Sequence, residues 1–419
     1  MHMRVFVMGL VFVALTFHPL PARATNGYFS HGFGTASKGM AGAGVALPLD
    51  SMAPATNPAA IVFVDPGWDV GVGLFSPDRE YNVAGQPSGF PGTFGLAPGT
   101  VRSGSRLFPI PHGGVVWKSG AKGAFGLALY GNGGMNTSYD APTFGVAPAG
   151  VDLSQMFLAP TYAIQFGGRH AVGVTGLIGY QRFEARGLQA FGAFSMNPSA
   201  LTDRDHSQSF GVGVRLGYIG RLTKHLSVGA SYQSKVWMSE FSEYEGLFAG
   251  QGDFDVPSNW VVGVALMPTE AVDIVVDVQQ VRYSEVDAVG NRMLPNMMQA
   301  PLGAATGAGF GWDDMTTVKL GLQIRGHGGV TWRGGYSYGN QPIPESEVLF
   351  NILAPGVMER HATFGLSKEL VPGKSIGFSV MHALRSRVEG PNPLEVPGLQ
   401  RIELQMKQWE FEVGYSVKF

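Results

Sequence analysis

The sequence predicts an all-β fold, a fourteen-stranded antiparallel transmembrane β-barrel. Three observations support this prediction: apolar and polar residues alternate along most of the chain, charged residues are scarce, and the connections between predicted strands are alternately short and long. Charged residues make up 14% of the chain, against roughly 25% in typical soluble domains. Mean hydropathy is nevertheless only +0.08, and beyond the N-terminus no run of about 18 apolar residues could form a membrane-spanning helix.

Residues 1–24 are predicted to be a signal peptide. Arg4 is a short basic region, residues 5–17 are apolar, and residues 22–24 supply the small side chains of a cleavage site. The apolar region is too short to span a bilayer as a helix, which takes ~20 residues. We therefore expect an exported protein whose mature chain begins at Thr25. The chain has no cysteine, so disulfides cannot stabilise it.

The alternation is clearest at the C-terminus, where polar or small residues separate the apolar residues Trp409, Phe411, Val413, Tyr415, Val417 and Phe419. Residues 271–281 and 317–325 follow the same pattern. A period of two predicts a strand with one apolar and one polar face. In a membrane barrel the apolar face contacts lipid and the polar face lines the lumen.

The same reading along the whole chain predicts fourteen strands, at 66–80, 106–118, 122–132, 152–167, 169–186, 207–222, 224–238, 255–267, 270–284, 313–325, 328–340, 357–370, 373–387 and 405–419. Tight turns such as 119–123 alternate with long loops such as 81–105 and 285–312. A soluble β-sandwich would also alternate, but its strands usually have about five or six residues. Long strands, an even strand number and the segregation of turns from loops favour an outer-membrane barrel.

The mature N-terminus, TNGYFSHGFGTASKGMAGAGVALPLDSMAPATNPAAI (residues 25–61), resembles one family, the FadL/TodX/OmpP1 outer-membrane transporters of long-chain fatty acids and hydrophobic or aromatic compounds. Its most telling element is Asn57-Pro58-Ala59, and the closing EVGYSVKF agrees. The resemblance implies a small hatch (residues 25–64) that plugs the lumen of a barrel (65–419) in the outer membrane of a Gram-negative cell. It also implies ligand capture by extracellular loops, diffusive passage through the lumen, and a lateral exit gated by the hatch.

The resemblance directs attention to two sets of small residues. The gating residues expected in the hatch are Asn57, Pro58, Ala59, Gly42 and Gly44. The glycines expected to kink the third strand and open the wall are Gly126, Gly131 and Gly133, since glycine tolerates bulges. An equally good explanation of the strand glycines is that they relieve crowding inside the barrel.

Apolar side chains in the loops 187–206, 238–254 and 285–312 are candidates for ligand capture, because solvent-facing loops seldom carry so many. The residues are Phe191, Phe194, Met196, Leu247, Phe248, Met297 and Met298. Methionine suits variable apolar ligands because its side chain is flexible and polarisable. In the alternative interpretation these side chains pack on one another and cap the barrel.

Four cations on the predicted lumen face could bind the carboxylate of a fatty acid: Arg215, Lys319, Arg325 and Arg333. The alternative is a salt-bridge network inside the lumen with the acidic residues Asp273, Asp277, Glu410 and Glu412. The sequence leaves both interpretations open.

No catalytic constellation is apparent. Residues 335–339 match G-x-S-x-G, but Ser337 lies within a predicted strand and not at the strand–helix turn of a nucleophile elbow. The ten histidines show no paired metal spacing, so we expect neither a metal nor a cofactor. A net charge of −2 argues against nucleic acid. We therefore expect a non-enzymatic, monomeric channel whose partners are a hydrophobic small molecule, outer-membrane lipid and lipopolysaccharide; the alternatives are a lipase-like barrel enzyme and a general porin.

Overall fold

A computed structural model describes residues 26–419 of the chain. The predicted signal peptide (1–24) and Thr25 lie outside the described residues. Sixteen strands are present in this range: β1 Gly67–Ala84, β2 Gly99–Arg102, β3 Phe108–Ser119, β4 Gly123–Asn136, β5 Gly150–Phe166, β6 His170–Arg186, β7 Ser207–Arg221, β8 Leu226–Gln233, β9 Trp237–Met238, β10 Asn259–Thr269, β11 Val272–Val281, β12 Met315–Arg325, β13 Val330–Gly339, β14 Arg360–Val371, β15 Lys374–Pro391 and β16 Arg401–Lys418.

Fourteen of these strands form a closed antiparallel barrel, as predicted. Each pairs with its neighbours in the chain, and β16 pairs with β1 from Gly67↔Lys418 to Ala84↔Arg401, which closes the wall. Closure leaves no sheet edge to be satisfied in lipid. The two short strands lie off this path, because β2 pairs with β1 alone and β9 with β7 alone.

Helices are short and lie in the N-terminal segment, the loops and one turn. Within residues 26–419 the α-helical turns are Thr35–Lys38, Ala249–Gly252, Asp287–Gly290 and Asn296–Gln299. The 3₁₀ turns are Ala53–Ala55, Pro58–Val62, Gln189–Phe194, Pro198–Ala200, Ser242–Tyr244, Tyr283–Glu285, His327–Gly329, Glu345–Glu347 and Phe350–Ile352. No helix among the described residues is long and apolar enough to cross a membrane.

The outer face of the barrel carries the apolar half of the alternation. On β12, Val318 and Leu320 are exposed whereas Thr317 and Lys319 between them are buried. Aromatic side chains meet on this face near the short turns, for example Trp68 with Tyr415, Trp117 with Phe125, Phe125 with Tyr162, and Trp332 with Phe364. Such aromatic girdles mark the membrane–water boundary of outer-membrane barrels.

Strand ends differ from the prediction on the long-loop side. Strands β1, β15 and β16 run further than expected, and their outer face carries the ion pairs Lys407–Asp78, Arg387–Glu403 and Arg401–Glu389. In these parts charged residues face outward and apolar residues such as Tyr81, Ile402 and Leu404 are buried inside, so the apolar outer face that predicted the strands is lost there. The opposite error occurs in 224–238, where β8 ends at Gln233 because Val236 pairs with Val256 in a loop instead.

Candidate functional site

Residues 26–64, here called the N-terminal segment, lie against the inner face of the barrel. Asn57 is its most firmly held side chain, with 1% exposure. Its Nδ2 donates to the carbonyl oxygens of Val45 (2.7 Å) and Tyr218 (3.0 Å), and its Oδ1 accepts from the N–H of Ala59 (3.1 Å). Asn57 therefore caps the 3₁₀ turn that begins at Pro58 and also joins two parts of the segment to β7.

Wall glycines make room for this motif. A Cβ atom at Gly173 would lie 2.5 Å from the carbonyl carbon of Pro58 and 2.6 Å from the nitrogen of Ala59. A Cβ atom at Gly217 would overlap Asn57 Oδ1 and lie 2.7 Å from Pro58 Cδ. These strand glycines are required by the close approach of the N-terminal segment, which is a packing role.

The other two predicted gating residues, Gly42 and Gly44, also have structural reasons to be glycine. Both have a positive φ, 77° for Gly42 and 145° for Gly44, a region that favours glycine. A Cβ atom at Gly42 would overlap the carbonyl oxygen of His31. The N–H groups of Gly44 and Val45 both donate to one carboxylate oxygen of Asp277, at 2.7 and 3.0 Å.

A buried ion pair also fastens the segment to the wall. Lys38 Nζ lies 2.5 Å from Glu410 Oε1 and 2.7 Å from Glu412 Oε2. Burial alone would lower the pKa of Lys38, but the two carboxylates raise this pKa above its usual range. Burial, together with the charges of Lys38 and Lys319, lowers the pKa of His31 to about 3. His31 stacks on His361, with ring centroids 5.7 Å apart.

Three of the four predicted lumen cations hold neutral protein groups. Arg215 donates to the carbonyl oxygen of Pro54 (3.1 Å), and Lys319 to that of His31 (3.0 Å). Arg333 donates to Gln323 Oε1 (2.7 Å) and Ser367 Oγ (3.0 Å). Within residues 26–419 none of the three forms an ion pair with a carboxylate. Arg215 and Lys319 thus position the N-terminal segment.

Among the described residues, one ion pair of the predicted lumen network is present, Arg325 with Asp273, and the other predicted acidic residues have different partners. Glu410 and Glu412 hold Lys38, Asp277 accepts backbone N–H groups, and Asp273 pairs with Arg325 at 2.5 Å. Lys38 was missed as a partner, although it is one of only two residues with a formal charge in 25–64. A single lysine that is buried in the lumen requires acidic residues on the wall. This requirement is the signal that could have identified Lys38 as the partner of Glu410 and Glu412.

Strand pairing in the wall is interrupted at the third of its fourteen strands, β4, and the unpaired gap is here called the opening between β3 and β4. The β4–β5 register shifts between Gly131 and Gly133, so Asn132 is the extra residue of a bulge. Pairing between β3 and β4 ends at His112↔Tyr130. Gly131 and Gly133, two of the glycines expected to kink this strand, lie at this bulge. Gly126, in contrast, lies in the regularly paired part of β4 and faces Pro54 and Ile61, so it belongs to the packing of the segment.

Two prolines in β3, Pro109 and Pro111, contribute to the opening. Proline has no N–H to donate to a neighbouring strand, so it weakens pairing beyond His112. A cavity of about 280 Å³ lies at this point. Its lining includes His361 and Glu410 on the inner face and Pro109 and Met156 on the outer face. Residues of both faces of the wall between β3 and β4 therefore line this cavity. The sequence analysis did not select these prolines, although FPIP within a predicted strand could have indicated an interruption of strand pairing.

The start of the N-terminal segment closes the inner side of this cavity. Ser30 donates its N–H to the carbonyl oxygen of Asn132 (2.7 Å), and Gly134 donates to that of Tyr28 (3.1 Å). A Cβ atom at Gly133 would overlap the same Tyr28 oxygen. The bulge thus forms backbone hydrogen bonds with the segment in place of β3.

The long loops on the opposite side from the tight turns form one hydrogen-bonded cap. Met196 donates its N–H to Leu302 O (3.0 Å), and Leu302 donates to Phe194 O (2.7 Å). Gly246 likewise donates to Ala200 O (2.9 Å). These contacts join the three loops that the sequence analysis selected, 187–206, 238–254 and 285–312.

The seven loop residues selected for ligand capture fall into two groups. Phe191, Phe248 and Met297 are buried in the core of the cap, with Leu247 half-buried beside them. Phe191, Leu247 and Phe248 line a cavity of about 40 Å³, whose other lining residues are Val151, Phe183, Leu188, Ala288, Leu302, Ala308, Gly309, Phe310, Phe350 and Leu353. The remaining three, Phe194, Met196 and Met298, are exposed by 38%, 48% and 64%.

Two further clusters of side chains have the composition of a reactive or metal-binding site. Ser337, the serine of the G-x-S-x-G match, lies within β13, and its Oγ is 2.9 Å from His361 Nδ1. Both side chains are buried. On the outer face, oxygens of Asp152 and Glu184 and a nitrogen of His206 lie close enough to hold a metal ion. Arg182 already lies 3.3 Å from Asp152, so part of this acidic charge is neutralised.

The family model of the outer membrane protein transport proteins (OMPP1/FadL/TodX) matches residues 22–356. The chain belongs to this family. It is thus an outer-membrane transport protein of a Gram-negative bacterium. No curated protein matches the chain.

Solved structures of similar fold cover nearly the whole chain. The toluene transporter TodX of Pseudomonas putida has a TM-score of 0.66 at 18% identity, covering 93% of this chain and 99% of its own. A FadL homologue of Pseudomonas aeruginosa has a TM-score of 0.70 at 16% identity, covering 94% and 100%. The toluene transporter TbuX of Ralstonia pickettii has a TM-score of 0.64 at 18% identity, covering 93% and 99%. At such identities these likenesses concern the fold.

Proposed function

We propose that this protein is a channel for the passive uptake of hydrophobic small molecules, either long-chain fatty acids or aromatic and alkane hydrocarbons. The observation that carries the proposal is the cavity of about 280 Å³ that residues of both faces of the wall line at the β4 bulge. An apolar solute that leaves by this route enters the membrane and avoids water, so passage needs no energy source. A general porin would instead need an open aqueous lumen, which residues 26–64 occupy.

Residues 25–64 act as the hatch of this channel. Buried contacts at Asn57, Lys38 and Asp277 hold its middle and end firmly, so these parts stay in place. Its first residues are held at the bulge by the two backbone hydrogen bonds of Tyr28 and Ser30, and on the opposite side by hydrogen bonds from Tyr283 and Thr317 to Asn26 and from Lys319 to His31, which withdrawal must also break. Withdrawal of residues 26–31 from the bulge would therefore connect the lumen with the opening between β3 and β4.

Capture takes place on the loop cap. Phe194, Met196 and Met298 offer the first apolar contact, because they are the exposed members of the predicted set. Phe191, Leu247 and Phe248 line the apolar cavity beneath, which would receive the ligand next. The protein acts as a monomer in contact with lipid and lipopolysaccharide, because its closed wall leaves no strand edge for a partner.

Uptake by cells tests this proposal. A Gram-negative strain that lacks its own channels of this family is compared with and without the protein, using toluene, decane, decanoate and, as a hydrophilic control, maltose. We expect faster uptake of at least one hydrophobic compound and unchanged uptake of maltose. Equal uptake of every hydrophobic compound in both strains would refute the proposal, and faster maltose uptake would favour a porin.

The Ser337–His361 contact is the one observation that favours an enzyme instead. We propose that it is structural, because both side chains are buried and Ser337 lies within a regular strand. Purified protein should therefore not hydrolyse p-nitrophenyl esters faster than its Ser337→Ala variant. Hydrolysis that disappears in this variant would support the enzyme.

A further inference from the structure

Arg79 is a buried guanidinium beside the opening between β3 and β4. It points into the barrel from β1, is 5% exposed and lines the cavity of about 280 Å³. One of its nitrogens, Nη1, donates to the carbonyl oxygen of Asn136 at 2.6 Å. Its guanidinium carbon lies 6.0 Å from the ring centroid of Phe108. The sequence analysis did not single out Arg79, and the proposed uptake of apolar solutes does not by itself require a cation there.

No carboxylate of the described residues forms an ion pair with Arg79. The acid in the same cavity is Glu410, but its strand position pairs with Phe75, four residues from Arg79. At ~3.3 Å per residue, the two levels are about 13 Å apart along the strand. Glu410 is moreover held by Lys38 at 2.5 Å. A buried cation without an acidic partner is unfavourable unless an anion reaches it.

Along the barrel axis, Arg79 lies at the level of the membrane boundary. Its outward-facing neighbours Asp78 and Glu80 form ion pairs with Lys407 and Arg102. Beyond Ser76, the outward residues towards the tight turns are exposed and apolar, namely Leu74, Val72 and Val70. Arg79 therefore lies inside the barrel at the level where lipid head groups give way to acyl chains outside it.

The opening between β3 and β4 lies on the apolar side of this boundary. Pro109 and Pro111, which line it, pair with Leu74 and Val72 of β1. Arg79 and the opening belong to one cavity. A ligand with an anionic head at Arg79 would thus direct its tail towards the opening, in the same orientation as a lipid of the outer leaflet.

We infer that Arg79 binds the carboxylate of an amphipathic ligand and orients it for lateral exit tail first. This inference rests on the proposed uptake function and narrows its substrate class to carboxylates with an apolar tail. Guanidinium groups bind carboxylates by charge-assisted hydrogen bonds that are stronger than neutral ones. Nη1 of Arg79, which donates to the carbonyl oxygen of Asn136, keeps the arginine side chain in place. The other guanidinium nitrogens are available to the ligand.

The test compares uptake of decanoate and decanol, which share a tail and differ in head-group charge. The variants are Arg79→Met and Arg79→Lys, with Arg102→Met as the matched control, because Arg102 is a nearby exposed arginine on the outer face. We expect Arg79→Met to raise the KM for decanoate roughly tenfold or more, with the KM for decanol unchanged. Arg79→Lys should restore part of the difference, and Arg102→Met should behave as the parent protein.

Parallel loss of decanoate and decanol uptake in Arg79→Met would overturn the inference, since this result indicates a structural role at Asn136. Unchanged decanoate uptake would overturn it as well. Heat-modifiable electrophoretic mobility verifies that each variant forms a folded barrel. If Arg79→Met does not fold, the decanoate and decanol uptake of Arg79→Lys is compared with that of the parent protein instead. If the parent protein takes up neither compound nor any hydrocarbon, the proposed function itself is wrong, and the inference fails with it.

Discussion

Replacement of Asn57 by aspartate removes two hydrogen bonds of the N-terminal segment and leaves the third intact. The carboxylate still accepts from the N–H of Ala59, and aspartate caps helical turns as well as asparagine does. The Nδ2 donor is lost, however, so the carbonyl oxygens of Val45 and Tyr218 lose their partner. The new oxygen also faces both carbonyl groups in a site where Asn57 is only 1% exposed.

The expected effect follows from these contacts. Each buried polar group left without a partner costs about 1–3 kcal/mol, so the two carbonyl groups together cost about 2–6 kcal/mol. This loss affects the docking of the segment, whose contacts with the wall are otherwise unchanged. Local opening should therefore become at least about 30-fold more frequent. Hydrogen–deuterium exchange of peptides from residues 40–64, measured by mass spectrometry, reports this opening.

Asn392→Asp is the matched control. Asn392 is also buried, donates through Nδ2 to Phe94 O (2.8 Å) and Gln400 Oε1 (3.1 Å), and accepts from Leu394 N (3.1 Å). It lies in the loop cap, so its replacement should accelerate exchange there and leave residues 40–64 unchanged. Unchanged exchange of residues 40–64 in Asn57→Asp, or equal acceleration in both variants, would refute the reasoning.

Three other substitutions probe the ion pair, the bulge and the cap. Lys38→Met leaves Glu410 and Glu412 buried without their cation, so we expect the docking free energy of the segment to fall by about 3–5 kcal/mol. The same exchange experiment measures this loss, and adding Glu410→Gln and Glu412→Gln should restore part of the docking free energy. Gly133→Val collides with Tyr28 O, so it should displace residues 26–31 from the bulge and raise hydrophobic uptake, whereas Gly176→Val, whose Cβ has no neighbour closer than 3.8 Å, should not; equal uptake by both variants would contradict the proposed exit. Phe248→Ala should lower stability by about 3–5 kcal/mol because the ring is buried, whereas Met298→Ala should leave the melting temperature unchanged and lower uptake; the opposite pattern would reverse their assigned roles.

The strands of the barrel wall could be predicted from the sequence alone. Alternation with a period of two follows directly from a barrel whose outer face is solvated by lipid, so Val318, Leu320 and their counterparts revealed all fourteen wall strands. The family was also recognisable from the sequence, because the stretch around Asn57-Pro58-Ala59 resembles the mature N-terminus of the OMPP1/FadL/TodX proteins, whose family model matches the chain. Errors in the wall were confined to strand ends, where the outer face carries charges and the apolar residues face inward.

Only the tertiary structure decided which residues meet inside the barrel. Lumen side chains from distant strands converge on one segment, and no local pattern encodes that Lys38 meets Glu410 or that Gly217 faces Asn57. The pairing of inward-facing charges depends on strand register and barrel closure, both of which are long-range properties. For this reason the cations selected from sequence hold protein groups, whereas Arg79, at the level of the membrane boundary and beside the open wall, became visible only in the folded chain.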